Sequence, residues 1–126
     1  MKQPVRPANG PTPRGPYSPG IVTSGRLLFV AGQLPIDPAT DDLVSEDVAD
    51  QTRQALANLL GVVEAAGAGA GDIVKVNVYL RDIADAATVN AIYAETLPEP
   101  YPARTTTQSP LPRGAAIEVD AVVAVD

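Results

Sequence analysis

The chain contains neither cysteine nor histidine among its 126 residues. Their absence excludes Ser-His and Cys-His nucleophile pairs, thiol redox chemistry, iron-sulfur ligation and the usual zinc sites. Any chemistry must therefore use carboxylates, arginine, lysine, tyrosine, hydroxyl groups or the backbone. The sequence also lacks an EF-hand loop and a run of acidic residues spaced for a cation, so we expect no metal ion.

Positive charge and long apolar runs are both scarce. Nine lysines and arginines face fifteen aspartates and glutamates, which gives a net charge of -6. Nucleic-acid surfaces usually need a basic patch, so this balance disfavours a nucleic-acid partner. No apolar run approaches the about 20 residues of a membrane-spanning helix, and the N-terminus has no basic-then-apolar signal pattern. We therefore expect a cytoplasmic protein without a membrane partner.

Six prolines fall in the first twenty residues and predict a proline-rich N-terminal arm over residues 1–13. Residues 14–126 have the length of a single domain. Within it, "IVTSGRLLFVAGQL" contains two β-rich runs around Ser24-Gly25, which predicts a hairpin with Leu27, Phe29 and Ala31 on one face. Leu43 and Val44 follow a turn cluster and predict a short strand.

Two helices are predicted further along the chain. Asp47 is a candidate N-cap and Gly67 a candidate C-cap for a helix of about five turns. Its apolar face recurs at three- and four-residue steps, at Val48, Thr52, Ala55, Leu56, Leu59, Val63 and Ala66. Asp85 is expected to cap a shorter helix that Pro98 ends, with Val89, Ile92 or Tyr93, and Leu97 on one side.

Three further segments are typical of strands. Residues 72–82 alternate, with Val74, Val76, Val78 and Leu80 on one side and Lys75, Asn77, Tyr79 and Arg81 on the other. Residues 103–108 and 115–125 are predicted as two more strands joined by "SPLPRG".

The order of elements predicts an α+β domain, in which about six strands form one mixed sheet covered on one face by two helices. In "AAIEVDAVVAV" both sides of the last strand are partly apolar. An uncovered sheet face should be more polar than this, so we expect the protein to self-associate through the sheet.

Arg104 and Glu118 place two opposite charges in segments predicted as core strands. If the last two strands form a hairpin, the two side chains could make a cross-strand ion pair, and periodicity alone favours this interpretation. Alternatively, the planar guanidinium of Arg104 binds a small carboxylate while Glu118 orients water or accepts a proton beside it.

An ordered series of motifs resembles the RidA/YjgF family, also called the reactive-intermediate deaminase or perchloric-acid-soluble protein family. The series consists of "RGPYSPG", "LFVAGQLPIDPAT", "QTRQALANLLGVVEAAGA", "DIVKVNVYLRD", "VNAIY", "PAR" and "LPRGAAIEVDAVV". The resemblance implies a chorismate-mutase-like fold and a homotrimer in which three sheets form a central barrel, with clefts between subunits.

The resemblance also implies an activity, namely cofactor-independent hydrolysis of 2-iminopropanoate and 2-iminobutanoate to 2-oxo acids and ammonia. By match to the family motifs, Arg104 would bind the substrate carboxylate and Glu118 would hold the attacking water. Tyr17 would line the cleft, the backbone of Gly32 would border it, and Asn90 matches the family asparagine of "VN". Ala31 and Thr106 complete the expected substrate-binding set.

Three features depart from the family pattern. Ala31 stands where the family usually has serine, Thr106 stands where the deaminase subgroup has cysteine, and the segment after Arg104 is one residue shorter. These departures favour an alternative, a non-catalytic or differently specialised member that binds small carboxylates. The resemblance also admits ribonuclease or translation-inhibitor activity, which the acidic charge and the lack of histidine disfavour.

Overall fold

A computed structural model describes residues 2–126, so Met1 of the predicted arm lies outside the described residues. Eight strands and two α-helices occur in this range. In chain order they are β1 Lys2–Val5, β2 Gly20–Thr23, β3 Arg26–Gln33, β4 Ile36–Asp37, β5 Asp42–Leu43, α1 Val48–Ala65, β6 Ile73–Leu80, α2 Ala86–Thr96, β7 Ala103–Gln108 and β8 Ile117–Val125. None of the helices described here is long and apolar enough to cross a membrane.

The first helix confirms the predicted period. Asp47 is its N-cap and accepts a hydrogen bond from the Asp50 backbone, while Gly67 just beyond its end has a φ of 81°. A left-handed glycine is a common helix terminator because it has no Cβ to clash. Ala66 lies past the last helical turn and is exposed, so its predicted place on the buried face is wrong.

The second helix also matches its predicted span and buries both Ile92 and Tyr93. Asp85 occupies the N-cap position, but its side chain makes no capping hydrogen bond. Asp82 instead accepts a hydrogen bond from the Ala84 backbone at 2.9 Å, which stabilises the turn that leads into α2.

The strands form three sheets rather than the single sheet of about six strands that was predicted. A four-stranded mixed sheet has the order β3-β8-β6-β7, whereas β1 pairs with β2 and β4 pairs with β5. Both predicted hairpins are therefore wrong: β2 pairs with β1 instead of β3, and β7 and β8 lie on either side of β6.

Composition explains the positions of the last two strands. β8 is apolar on its helix-covered face and partly apolar on the other, so it is most stable between two neighbours, whereas the polar β7 sequence "ARTTTQ" suits an edge. β7 runs parallel to β6, and α2 provides the crossover that parallel neighbours require.

Helices α1 and α2 cover one face of the four-stranded sheet. The buried side chains of that face belong to one hydrophobic cluster with both helices, and they include Val30, Val76, Val78, Leu80, Ile117, Val119, Ala121 and Val123. The opposite face, which we call the open face, carries Phe29 at 72% exposure and Leu27 at 44%. The predicted alternation along β6 is thus confirmed, because Lys75, Asn77 and Tyr79 lie half-buried on the open face.

A β-bulge interrupts β3. Val30 pairs with Ala121 and Gln33 pairs with Val119, so β3 has one residue more than β8 between these two pairs. The bulge contains Ala31 and Gly32, which is where the candidate site begins.

Candidate active site

Arg104 lies on the edge strand β7 and points to the helix-covered face, because it pairs with the buried residue Val76 of the adjacent parallel strand. Its Nη1 donates a hydrogen bond to Oδ1 of Asn90 at 2.8 Å. Asn90 lies on α2, which packs over this part of the sheet. The structure therefore brings together two of the predicted site residues, Arg104 and Asn90.

Two tyrosine rings also contact the Arg104 guanidinium. The Cζ atom lies 5.6 Å from the ring centroid of Tyr17 and 5.0 Å from that of Tyr93, both within the range of cation–π attraction. Gly15 allows this approach, since a Cβ there would lie 3.1 Å from Arg104 Nη2. Tyr17 is thus the third predicted site residue in this group, beside Arg104 and Asn90. Tyr93, in contrast, was predicted only as a core candidate.

The segment carrying Tyr17 is attached directly to β7. Ser18 forms an isolated parallel bridge with Ala103, and its backbone N–H donates to the Pro102 carbonyl at 3.1 Å. The Ser18 hydroxyl also donates to the Tyr101 carbonyl. These bonds fix the N-terminal segment beside the strand that carries Arg104, so the Tyr17 ring is held by backbone pairing.

Burial controls the electrostatics around Arg104. It lowers the pKa of the Arg104 guanidinium, and the charges of Tyr93 and Tyr17 oppose that shift. An arginine remains protonated at neutral pH even so. Burial raises the pKa of the Tyr93 hydroxyl well above its ordinary value, although the Arg104 charge acts in the opposite direction. Burial thus acts in opposite directions on the two groups: it lowers the pKa of the guanidinium and raises the pKa of the phenol beside it.

Thr106 lies two residues beyond Arg104 on the same side of β7. Its Oγ1 is buried and has no hydrogen-bond partner among the described residues. A buried hydroxyl without a partner usually marks a position where water or a ligand completes the bonding. Thr106 therefore offers unused hydrogen-bonding capacity beside the arginine.

Glu118 lies on β8 directly opposite Tyr79 of β6 and points to the open face. Gly32 of the β3 bulge packs against its carboxyl group, since a Cβ at Gly32 would lie within 2.9 Å of Glu118 Cδ. Ala31, the other residue of the bulge, is exposed. The structure thus brings Glu118, Gly32 and Ala31 into a second group of predicted residues.

The connection between β7 and β8 leaves both strands regular next to Glu118. β7 pairs without interruption through Gln108, and β8 pairs regularly with β6 from Ile117 to Val122. The connection between them contains a 3-10 turn with positive φ values at Arg113 and Gly114. A change of one residue in this connection therefore leaves the alternation of β8 intact.

Arg104 and Glu118 do not meet within one chain. Strand β6 separates them, and their β6 neighbours Val76 and Tyr79 face opposite sides of the sheet. Two strand spacings and three residue rises place their Cα atoms roughly 14 Å apart. The cross-strand ion pair is therefore wrong, and Arg53–Asp50 and Arg113–Asp42 are the ion pairs present in residues 2–126.

A polar network next to Glu118 was not predicted. Asp120 accepts hydrogen bonds from Asn77 Nδ2 and from the Tyr79 hydroxyl, each at 2.8 Å. The hydrogen bond to Asp120 raises the pKa of Tyr79, with smaller contributions from burial and from the charges of Asp120 and Glu118. The alternation of β6 and β8 placed these residues on one face, but only the observed register pairs them.

Gln51 is a second residue without a sequence signal. It is fully buried in α1, where its Oε1 accepts from the Ala116 backbone at 2.7 Å and its Nε2 donates to the Ser45 carbonyl at 2.8 Å. It thereby fixes the start of the strand that carries Glu118.

Two cavities are lined by other residues. One of about 420 Å³ is lined by Arg81, Gln108, Ser109, Pro110 and Leu111, at the far end of β6 and β7. A second, of about 750 Å³, runs beside α1 and is lined partly by Gln33 and Asn58. Neither cavity contains a predicted site residue, and no acidic cluster in the described range could hold a metal ion.

Comparison with known proteins finds relatives that match almost the whole chain. The family model described as Endoribonuclease L-PSP matches residues 7–125. A RutC family protein of Pyrococcus horikoshii is 46% identical over 123 residues, which cover 97% of each chain. The 2-iminobutanoate/2-iminopropanoate deaminase of Salmonella typhimurium is 41% identical over 126 residues, again with 97% of both chains covered. The crystal structure of RidA from an Antarctic Psychrobacter species is 35% identical, with a TM-score of 0.77 over 98% of this chain and 99% of that one.

Proposed function

This chain belongs to the RidA/YjgF family, and on that premise we propose that it is a cofactor-independent deaminase of small 2-imino acids. Its substrates would be 2-iminopropanoate and 2-iminobutanoate, or imines of similar size. The similarity to a Salmonella protein of that name supports the proposal.

The observation that carries this proposal is the environment of Arg104. Asn90 occupies one guanidinium nitrogen and two tyrosine rings contact the group, so the cation is oriented before any ligand arrives. A guanidinium retains further N–H donors in a planar fork that matches a carboxylate. A 2-imino acid carries that carboxylate next to the reacting carbon, so binding by Arg104 would position the C=N bond.

The second half of the site would come from a neighbouring copy. Phe29 and Leu27 expose a large apolar surface on the open face, which favours assembly through the sheet. A cyclic homotrimer would bring the Glu118 group of one subunit towards the Arg104 group of the next. This arrangement would explain why the Arg104 group and the Glu118 group lie on opposite faces of the sheet within one chain.

The proposed reaction consumes one water. Glu118 would accept a proton from that water as its oxygen forms a bond to C2, and the C=N π electrons would move to nitrogen. Glu118 returns that proton to the nitrogen, which gives the neutral carbinolamine. The carboxylate then takes the hydroxyl proton as the C=O bond forms and passes it to the nitrogen as the C–N bond breaks, so that ammonia leaves. The products are a 2-oxo acid and ammonia, and Glu118 is unchanged.

A coupled assay tests the proposal. A pyridoxal-phosphate-dependent dehydratase generates 2-iminobutanoate, and semicarbazide traps the imine that remains. We expect the protein to lower trapping in proportion to its concentration and Arg104→Ala to abolish the effect. Arg53→Ala is the matched control, because Arg53 is exposed on α1 and pairs only with Asp50 among the described residues. Loss of imine at the uncatalysed rate with the wild-type protein would refute the deaminase assignment.

A small-carboxylate-binding function is the second candidate, and Ala31 favours it because the exposed bulge lacks a hydroxyl side chain. This function predicts that 2-oxobutanoate raises the melting temperature of the wild type but not of Arg104→Ala, while imine loss stays uncatalysed. The two candidates therefore differ in turnover and agree in binding.

A further inference from the structure

Tyr93 contacts Arg104 from the same helix as Asn90. The two residues are three positions apart on α2, so they lie one turn apart on the same face. Asn90 contacts the guanidinium by a hydrogen bond and Tyr93 by its ring, whose centroid lies 5.0 Å from Cζ. One helix face thus supplies two different contacts to one cation.

The ring and the hydroxyl of Tyr93 differ in what they contribute. Tyr93 is 0% exposed, yet its hydroxyl has no hydrogen-bond partner in residues 2–126. Within the described residues the hydroxyl therefore adds no hydrogen bond to this position, and what Tyr93 contributes to the chain's own packing is its ring. The ring, in contrast, fills the core under α2 and lies over the Arg104 charge.

We infer that Tyr93 is a positioning residue for carboxylate recognition, acting through Arg104 and by its ring alone. This inference rests on the proposed function, because it assumes that Arg104 binds the substrate carboxylate. Asn90 fixes one nitrogen of the guanidinium, but a single hydrogen bond leaves the group free to rotate about that contact. The Tyr93 ring restricts this rotation and keeps the remaining N–H donors aligned for a carboxylate.

Two substitutions separate the ring from the hydroxyl. Tyr93→Phe keeps the ring, and we expect KM for the imine and Kd for 2-oxobutanoate within twofold of wild type. Tyr93→Leu removes the ring, and we expect both constants to rise about tenfold, the range of one cation–π contact, with kcat within threefold. If Tyr93→Leu does not fold, Tyr93→Met serves as the aliphatic variant, because its flexible side chain fills irregular space.

Isothermal titration calorimetry with 2-oxobutanoate provides a readout independent of turnover. A Leu or Met variant with a lower melting temperature but an unchanged Kd would overturn the inference, since Tyr93 would then be only a core residue. An equal rise in Kd for Tyr93→Phe would also overturn it, by assigning the effect to the hydroxyl. If the wild type binds 2-oxobutanoate but turns over no imine, the deaminase proposal fails while the Kd series still decides the role of Tyr93. If the wild type binds no 2-oxobutanoate, the inference fails.

Discussion

The Arg104 group and the Glu118 group are built in opposite ways. Arg104 is half-buried and contacts an amide and two aromatic rings, all from its own chain. Glu118 lies on the open face, packed against the backbone of Gly32 in an exposed bulge. One group is complete within the chain and the other faces outward. We interpret the first as a prepared binding site and the second as a contribution to a neighbour.

Mixing two inactive variants tests this division most directly. Arg104→Ala and Glu118→Ala should each be inactive alone. When the two chains are unfolded and refolded together at equal amounts, about a quarter of the clefts in a cyclic trimer should combine an intact Arg104 with an intact Glu118. The imine-trapping assay should then recover about a quarter of wild-type activity. Continued inactivity of correctly assembled mixtures would show that both groups must come from one chain.

Arg104→Lys tests whether the Arg104 group binds a carboxylate through its planar guanidinium. Lysine keeps the charge but cannot donate to Asn90 and to both carboxylate oxygens in a planar fork, so we expect kcat/KM to fall about 100-fold. The melting temperature should change little, because the charge stays near both rings. Steady-state kinetics and a thermal melt measure the two effects. Activity within twofold of wild type would mean that point charge suffices for binding.

Gly32→Ala perturbs the Glu118 group. The added Cβ would lie 2.9 Å from Glu118 Cδ and 3.3 Å from its Cγ, so the carboxyl group must move. We expect kcat to fall roughly 10-fold, since small displacements of catalytic groups are costly, with little change in 2-oxobutanoate affinity. Gly61→Ala on α1 is the matched control, because its Cβ would meet nothing within 4 Å. That control should keep full activity and gain stability, as alanine favours a helix.

The smallest predicted effect concerns Tyr79 and pH. Its pKa is raised from 10.0, chiefly by the hydrogen bond to Asp120. A raised pKa in the folded state gives stability that is fully present below the unfolded pKa and is lost as pH rises through the folded pKa. Tyr79→Phe should therefore be less stable than wild type by about 1 kcal/mol at pH 8. The difference should decline as pH rises above 10 and vanish once pH exceeds the raised pKa of folded Tyr79, in urea unfolding measured across that range. A constant difference would contradict the assigned hydrogen bond.

Local elements were predictable because they depend on short-range periodicity. The Asp47 cap, the three- and four-residue steps of α1 and the alternation of β6 depend on residues close in sequence. Pairing was not predictable in the same way. Ser24-Gly25 does mark a bend, with a φ of 92° at Gly25, but β3 pairs with β8 almost a hundred residues later. A turn signal locates a bend in the chain, whereas the pairing partner of a strand depends on which strands can be buried together.

The candidate site shows the same limit. Family motifs identified Arg104, Asn90 and Tyr17, which the fold brings into contact. Tyr93 was ambiguous, because an aromatic residue on an apolar helix face is expected in the core whether or not it also contacts a cation. The separation of the Arg104 group from the Glu118 group follows from the strand order β3-β8-β6-β7. No local sequence pattern shows that β6 lies between β7 and β8.

The position of β6 between the two groups also has a consequence for how abundance would control activity. In the proposed assembly no isolated subunit holds a complete cleft, so dilution would abolish turnover while every chain remained folded. Activity would then rise more steeply than linearly with protein concentration near the dissociation constant of the trimer. A cell could regulate such an enzyme through its copy number alone, with a threshold below which the imine persists.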